Sequence, residues 1–246
     1  MTTRCAANAP RVAWRDRADG MHPIIHPSLN PWANDQQLLA LYRRRCRQEA
    51  EEMTCAAQAA DIIGERATVG ESLLDAGCGS GYYYYSFLKR TDVEYHGLDY
   101  TPEMIDLAHN ELCPRTGLPT GRLVYGSIES LDREFDNIVC FNVLTNSPHY
   151  ALPLGRLLEC TKRRLLLRES LGQESMVRYT PDPYLDEGKR HIRVYHNTYR
   201  LAEVVEFIKM YGFSVSQIVD RRTKDAVEMV VDIPHSWRIL LAERDL

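Results

Sequence analysis

The stretch SLLDAGCGSGYYYYSFL, residues 72–88, constrains the fold more than any other part of the chain. A short apolar run ends in Asp75, glycines follow at 77, 79 and 81, and a helical pattern starts directly after. Glycine is needed where backbone turns sharply and must approach a ligand with no Cβ in the way, and the helix N-terminus that follows offers free N–H groups. A glycine-rich turn alone is equally compatible with a plain tight turn. A second stretch, GLDYTPEMIDLA, sharpens the reading by placing Asp99 24 residues after Asp75. That is the spacing of a strand-helix-strand unit, and an acidic residue at the tip of the second strand can accept hydrogen bonds from both hydroxyls of a ribose. A dinucleotide fingerprint would require glycine or alanine at 82 or 84. Both positions are tyrosine, which disfavours nicotinamide and flavin dinucleotides.

Short apolar runs alternate with helical patterns from residue 71 onward: SLLDA, VEYHGL, RLVYG, NIVCFNV and RLLLRE, separated by segments of helical period. Such alternation predicts a parallel sheet wound by crossover helices. The last third changes character. A helix over about 198–211 ends at Gly212, and FSVSQIV, AVEMVVDI and WRILLAER follow as strands with no helix between them, which predicts an antiparallel edge. Residues 1–33, with Pro10, Pro23, Pro27 and Pro31, read as an irregular arm. Residues 34–64 read as one amphipathic helix opened by a capping box at Asn34 and Gln37. Residues 34–246 then form a single domain, with a loop insertion at 171–197.

Composition excludes several alternatives. Seven cysteines, with no CxxC pair, argue against a disulfide framework and a zinc ribbon; apart from His22 and His26, four apart in a proline-bearing segment, the eight histidines lack ligand spacing, so no metal is expected. A net charge of −4 offers nucleic acid no long-range attraction. No apolar run reaches the roughly 18 residues that a membrane span needs, and the N-terminus lacks a signal-like apolar core, which points to the cytoplasm. A homodimer is left open.

Asp75-Ala76-Gly77-Cys78-Gly79-Ser80-Gly81, joined to Gly97-Leu98-Asp99-Tyr100-Thr101-Pro102-Glu103-Met104, resembles the first two motifs of class I S-adenosylmethionine (SAM)-dependent methyltransferases. The likeness extends more loosely over about residues 55–243. It implies an α/β, Rossmann-like, seven-stranded sheet in the order 3-2-1-4-5-7-6 with an antiparallel edge and an N-terminal helical extension. SAM would lie across the carboxyl ends of strands 1, 2 and 4 and leave as S-adenosylhomocysteine. By the same resemblance Gly77, Gly79 and Gly81 line the methionine moiety, Asp75 organises its ammonium end, Asp99 binds the ribose, and Tyr100 and Met104 flank the adenine. Ser127-Ile128 stands where many members carry an acidic residue followed by an apolar one, so only hydroxyl or backbone contacts to the adenine amino group remain there. Asn142, at the end of the fourth strand, is by that resemblance the candidate for the wall beside the sulfonium.

The implied reaction is methyl transfer to an O or N atom of a small metabolite by in-line displacement. Alignment supplies about 7 to 11 kcal/mol of the barrier, and a base contributes roughly 10² to 10⁴ in rate. The loop NVLTNSPHY offers His149 as base and Asn146 and Tyr150 as substrate contacts; the alternative for His149 is a capping or surface residue. The longer loop RYTPDPYLDEGKRHIRVYHNTY supplies His191 and His196 as further catalytic candidates and Arg193 and Tyr195 as substrate contacts. An extended chain would put His191, Arg193 and Tyr195 on one face, either a pocket wall or a solvated strand. Trp14, Trp32 and Tyr42 are candidates to cover the acceptor. Two alternatives stand beside this reading: an enzyme of another transferase class on the same fold, and a non-catalytic SAM-binding partner subunit.

Overall fold

The computed structural model describes residues 30–244. Most of the N-terminal arm, including Trp14, lies outside the described residues. The expected helix over 34–64 is two helices, α1 (Gln36–Cys46) and α2 (Thr54–Gly64). Asp35 is the N-cap, its carboxylate accepting the Leu38 N–H at 2.8 Å, whereas the Asn34 side chain donates back to the Asn30 carbonyl at 2.6 Å. The break has a physical cause. Gln48 adopts φ +59°, which a helix cannot contain, and Glu52 is drawn out to accept hydrogen bonds from Ser86 and Arg90, both at 2.7 Å.

The wound part follows as β1 (Ser72–Ala76), α3 (Tyr84–Arg90), β2 (Glu94–Asp99) and α4 (Pro102–Leu107). A π-turn at Ala108–Leu112 carries α4 into α5 (Cys113–Thr116), ahead of β3 (Leu123–Tyr125), β4 (Phe135–Phe141), α6 (Ala151–Cys160) and β5 (Thr161–Gly172). A hairpin of β6 (Tyr179–Pro181) and β7 (Arg193–Tyr195) leads to β8 (Tyr199–Arg200) and α7 (Leu201–Met210). Three strands close the chain: β9 (Ser214–Ile218), β10 (Val227–Val230) and β11 (Ile233–Glu243). The sheet runs β3-β2-β1-β4-β5-β11, and all pairings up to β5 are parallel. Strand β11 lies antiparallel to β5 and is flanked on its other edge by β9 along Ile239–Glu243 and by β10 along Ile233–Ser236. This is the expected order 3-2-1-4-5-7-6, with β11 in the seventh place, β9 in the sixth, and β10 as an addition to the edge.

Apolar layers cover both faces. One packs α2, α3 and the α4–α5 segment on Leu73, Val139, Leu166 and Ile239; the other packs α6 and α7 on Leu74, Ile138, Leu167 and Leu240. Alternation along each strand assigns successive residues to opposite layers, and the polar residues that break the pattern gather at the carboxyl edge of the parallel strands. Asp75, Asp99, Arg168, Glu169 and Ser170 are all buried there.

Candidate active site

Strand β1 delivers the chain into a turn that crosses to the end of β2: the Gly77 and Cys78 N–H groups donate to the Leu98 carbonyl at 2.7 and 3.1 Å. Gly77 and Gly79 have φ of +81° and +55°. A side chain is strained in that region, and here it also has no room. A Cβ on Gly77 would collide with the Val143 side chain, and one on Gly79 would stand 2.6 Å from the Tyr42 ring. Gly81 is left-handed as well. The turn is joined to the second motif by a direct bond, the Gly79 N–H donating to Asp99 Oδ2 at 2.8 Å, while Asp99 Oδ1 accepts the Thr101 N–H at 2.8 Å. The two motifs therefore meet on one side of the sheet edge.

Both acids are buried. Burial pushes the Asp75 carboxyl up to about 7; the Tyr95 hydroxyl, donating to it at 2.6 Å, opposes that shift and the nearby Asp99 adds to it. Asp99 is also raised, by burial, against the pull of its two N–H donors. Such sites favour a ligand that brings its own positive charge and hydroxyl donors. The chain above the turn is aromatic: Tyr42 of α1 lies on Gly79 with its hydroxyl pushed up to about 12 by burial, and Arg45 packs between the Tyr42 and Tyr82 rings at 5.3 and 4.9 Å. Trp32 bonds to the Tyr100 side chain. Tyr42 and Trp32 thus cover the turn and the tip of β2, not the far end of the site where acceptor contacts were expected.

Met104 and Ile128 are buried beside the β2 and β3 ends. Ser127 N-caps the single turn Ile128–Ser130, and its hydroxyl bonds to the Glu129 carboxylate. An acid is therefore present near the position where the sequence shows serine, two residues further along. Asn142 follows β4 in a left-handed conformation, φ +60°, with its side-chain oxygen held by Arg168. Arg168 makes a fully buried ion pair with Asp220 at 2.8 Å and stacks 4.8 Å over the Trp237 ring. The neighbouring Glu169, with its carboxyl raised by burial, accepts the N–H groups of Val143, Leu144 and Thr145 at 2.8 to 3.0 Å and so fixes the loop after β4.

The acceptor-side candidates separate. His149 is exposed; its Nδ1 accepts the Ala151 N–H at 3.1 Å, a cap on α6, and its ring stacks on Tyr150. Asn146 donates to the Asn142 carbonyl at 2.8 Å, and Tyr150 packs among Tyr199 and Phe207. In the β6–β7 hairpin it is Ile192, Val194 and His196 that are buried; His191 and Arg193 are exposed and Tyr195 stacks on Tyr179 at 4.4 Å. The shared face expected for His191, Arg193 and Tyr195 exists, but it looks outward, because Ile192 and Val194 take the inward face. Of the three catalytic histidines only His196 is brought inside, and it meets His235, a residue the sequence reading did not select. Among the described residues no cluster of side chains is arranged to hold a metal ion, and no helix is long and apolar enough to cross a membrane.

Residues 74–165 match the model of a methyltransferase domain. An uncharacterised methyltransferase, YdaC, of Bacillus subtilis is 37% identical over 82 residues, which span 32% of this chain and 43% of that relative. Among solved structures, a SAM-dependent methyltransferase from Clostridium acetobutylicum superposes with a TM-score of 0.58 at 16% identity, covering 86% of this chain and 99% of that one. Magnesium protoporphyrin IX methyltransferase from Synechocystis, crystallised with S-adenosylhomocysteine, gives 0.55 at 17% identity over 87% and 97%. The 1,6-didemethyltoxoflavin N1-methyltransferase of Burkholderia thailandensis gives 0.53 at 19% over 78% and 80%. With the glycine turn bonded to Asp99 and the sheet order in agreement, residues 74–165 are similar to a methyltransferase domain and the described chain has the fold seen in SAM-dependent methyltransferases.

Proposed function

We propose that residues 34–246 act as one domain, in the cytoplasm, that binds SAM and transfers its methyl group to an O or N atom of a small metabolite. The observation that carries the reading is the bond between the Gly79 N–H and Asp99, which places a bare backbone turn and a carboxylate side by side at the carboxyl edge of β1 and β2. The residues suit SAM. Asp99 is positioned for the ribose hydroxyls, the glycine turn admits the chain of the methionine moiety, Asp75 stands ready for its ammonium, and Tyr100, Met104 and Ile128 offer an apolar slot for the adenine. When bound, the sulfonium supplies a methyl group already activated for displacement. The protein contributes alignment and a water-poor pocket, which Glu169 supports by holding the loop at Val143 to Thr145 in one position.

A small-molecule acceptor is supported by two structural neighbours named for magnesium protoporphyrin IX and 1,6-didemethyltoxoflavin. The net charge of −4 gives no support to nucleic acid. Isothermal titration with SAM and S-adenosylhomocysteine tests the reading: micromolar binding that Asp99→Ala weakens about 100-fold is expected, and no heat with either ligand ends the case. Mass spectrometry of acceptor mixtures then separates methyl transfer from other transfers by the gain of one methyl group.

A further inference from the structure

The carboxyl edge of β5 and the start of β11 enclose a pair of imidazoles that the fold leaves without partners. His196 and His235 are 7% and 1% exposed, and their rings meet edge to face with centroids 6.1 Å apart. Nε2 of His196 and both ring nitrogens of His235 are buried with no hydrogen-bond partner among the described residues. Buried polar atoms are normally paired, so an orphaned set marks a place where a ligand or water completes the bonding. His235 is held by stacking instead: its ring lies 5.0 Å from Trp237 at an interplanar angle of 9°. Trp237 is fixed in turn by the Arg168 guanidinium on its ring and by its own indole N–H, which donates to Glu228 at 2.7 Å. A ring oriented by stacking keeps both nitrogens available.

The pair also has an address. Arg168 bonds the side chain of Asn142 at the end of β4, so Asn142, Arg168, Trp237, His235 and His196 form one continuous line from the proposed sulfonium wall. We propose that His235, assisted by His196, receives the acceptor's proton, and that the acceptor is an uncharged small molecule presenting a hydroxyl group.

This rests on the methyltransferase reading above. As the oxygen–carbon bond forms and the carbon–sulfur bond breaks, the breaking bond's electron pair stays on sulfur and the hydroxyl proton moves to a ring nitrogen of His235. One positive charge leaves the sulfonium and one appears on the imidazole, so the charge of the pocket is unchanged. The surroundings favour an uncharged acceptor. Arg168, which lies over the Trp237 ring that stacks on His235, is engaged by Asp220 and Asn142 and is not available to bind an anion. The groups facing the histidines are Glu228 beside His235, Asp182 beside His196, and the two rings themselves. Burial lowers both imidazoles, His235 to about 4, which keeps their lone pairs free at neutral pH.

The test uses the full chain saturated with S-adenosylhomocysteine, with histidine ring carbons labelled and observed by NMR. Phenol, anisole and benzoate serve as probes that differ in the hydroxyl proton and in charge. Phenol is expected to move two histidine resonances, which His235→Gln and His196→Gln identify by their disappearance. Anisole and benzoate at equal concentration should move them at least fivefold less. The comparison among probes is made in the unaltered protein and needs no variant to fold. Equal shifts with phenol and anisole, larger shifts with benzoate, or no shift with phenol while S-adenosylhomocysteine still binds would overturn the assignment and leave the cofactor site standing. If S-adenosylhomocysteine does not bind, both the methyltransferase reading and this assignment fall.

Discussion

The two ends of the sheet's carboxyl edge are finished differently. At the β1–β2 end the carboxylates of Asp75 and Asp99 are satisfied by the chain itself, through Tyr95, Gly79 and Thr101, and Tyr42 covers the turn. At the β5–β11 end a buried ion pair and a stacked indole support two histidines, three of whose four ring nitrogens find no partner among the described residues. The first end is shaped for a ligand that replaces bonds already made. The second is shaped for one that makes bonds the protein lacks.

The contrast can be broken most forcefully at its rigid member. Asp220→Ala leaves Arg168 charged and unpaired where both side chains are fully buried, so urea unfolding at pH 7 should show a loss of about 4 kcal/mol; a loss under 1 kcal/mol would mean the pair is not structural. At the other end, Asp99→Ala removes a charged acceptor for ribose hydroxyls and should weaken SAM about 100-fold by titration calorimetry, beside a urea-unfolding loss of about 1 to 3 kcal/mol from the Gly79 and Thr101 N–H groups left without an acceptor. Unaltered affinity would separate Asp99 from the cofactor.

Two further predictions sharpen the comparison through pH. His96, buried near Arg122 and Arg133, is lowered by burial from 6.5 to about 4. The unfolded chain therefore binds a proton that the folded chain refuses between those values, and stability falls as pH drops through that window, by about 2 kcal/mol at pH 5. His96→Asn should remove that part of the acid sensitivity; identical pH 7 to pH 5 losses in both proteins would refute it. Asp75 has the opposite sign. Its carboxyl is raised to about 7, so the empty site holds a proton below that pH which the SAM ammonium must displace. Affinity for SAM should fall about tenfold from pH 8 to pH 6, with proton release visible as buffer-dependent heat, and Asp75→Asn should flatten the dependence.

The β1–β2 end was legible in the sequence because its determinants are local: glycines within five positions, and an acid one strand-helix-strand unit later. The β5–β11 end was not, since Arg168 reaches Asp220 only through the order of the last strands, 52 residues along the chain. For His149 residue type left base and cap side by side, and the bond from the Ala151 N–H shows the cap. For the hairpin a usable signal did exist. His196 shares the parity of Ile192 and Val194, and His235 that of Ile233, Trp237, Ile239 and Leu241, so the inward faces could be read from the apolar members of each strand. The break between α1 and α2 depended on Glu52 finding Ser86 and Arg90 across the fold, which no periodicity reports.

The position of β11 bears on how the molecule assembles. Strand β5 is twelve residues long and pairs along one edge with β4, but most of its other edge is covered by β11 alone, which is made some sixty residues later. During synthesis a leucine-rich ladder of free N–H and C=O groups stands open until the final strand threads in between β5 and β9. Such late, non-local pairing slows folding and invites contact between unfinished chains. Residues 233–237, which complete the β5–β11 end, are therefore made long after the glycine turn and Asp99, and His196 meets His235 only once β11 has been inserted.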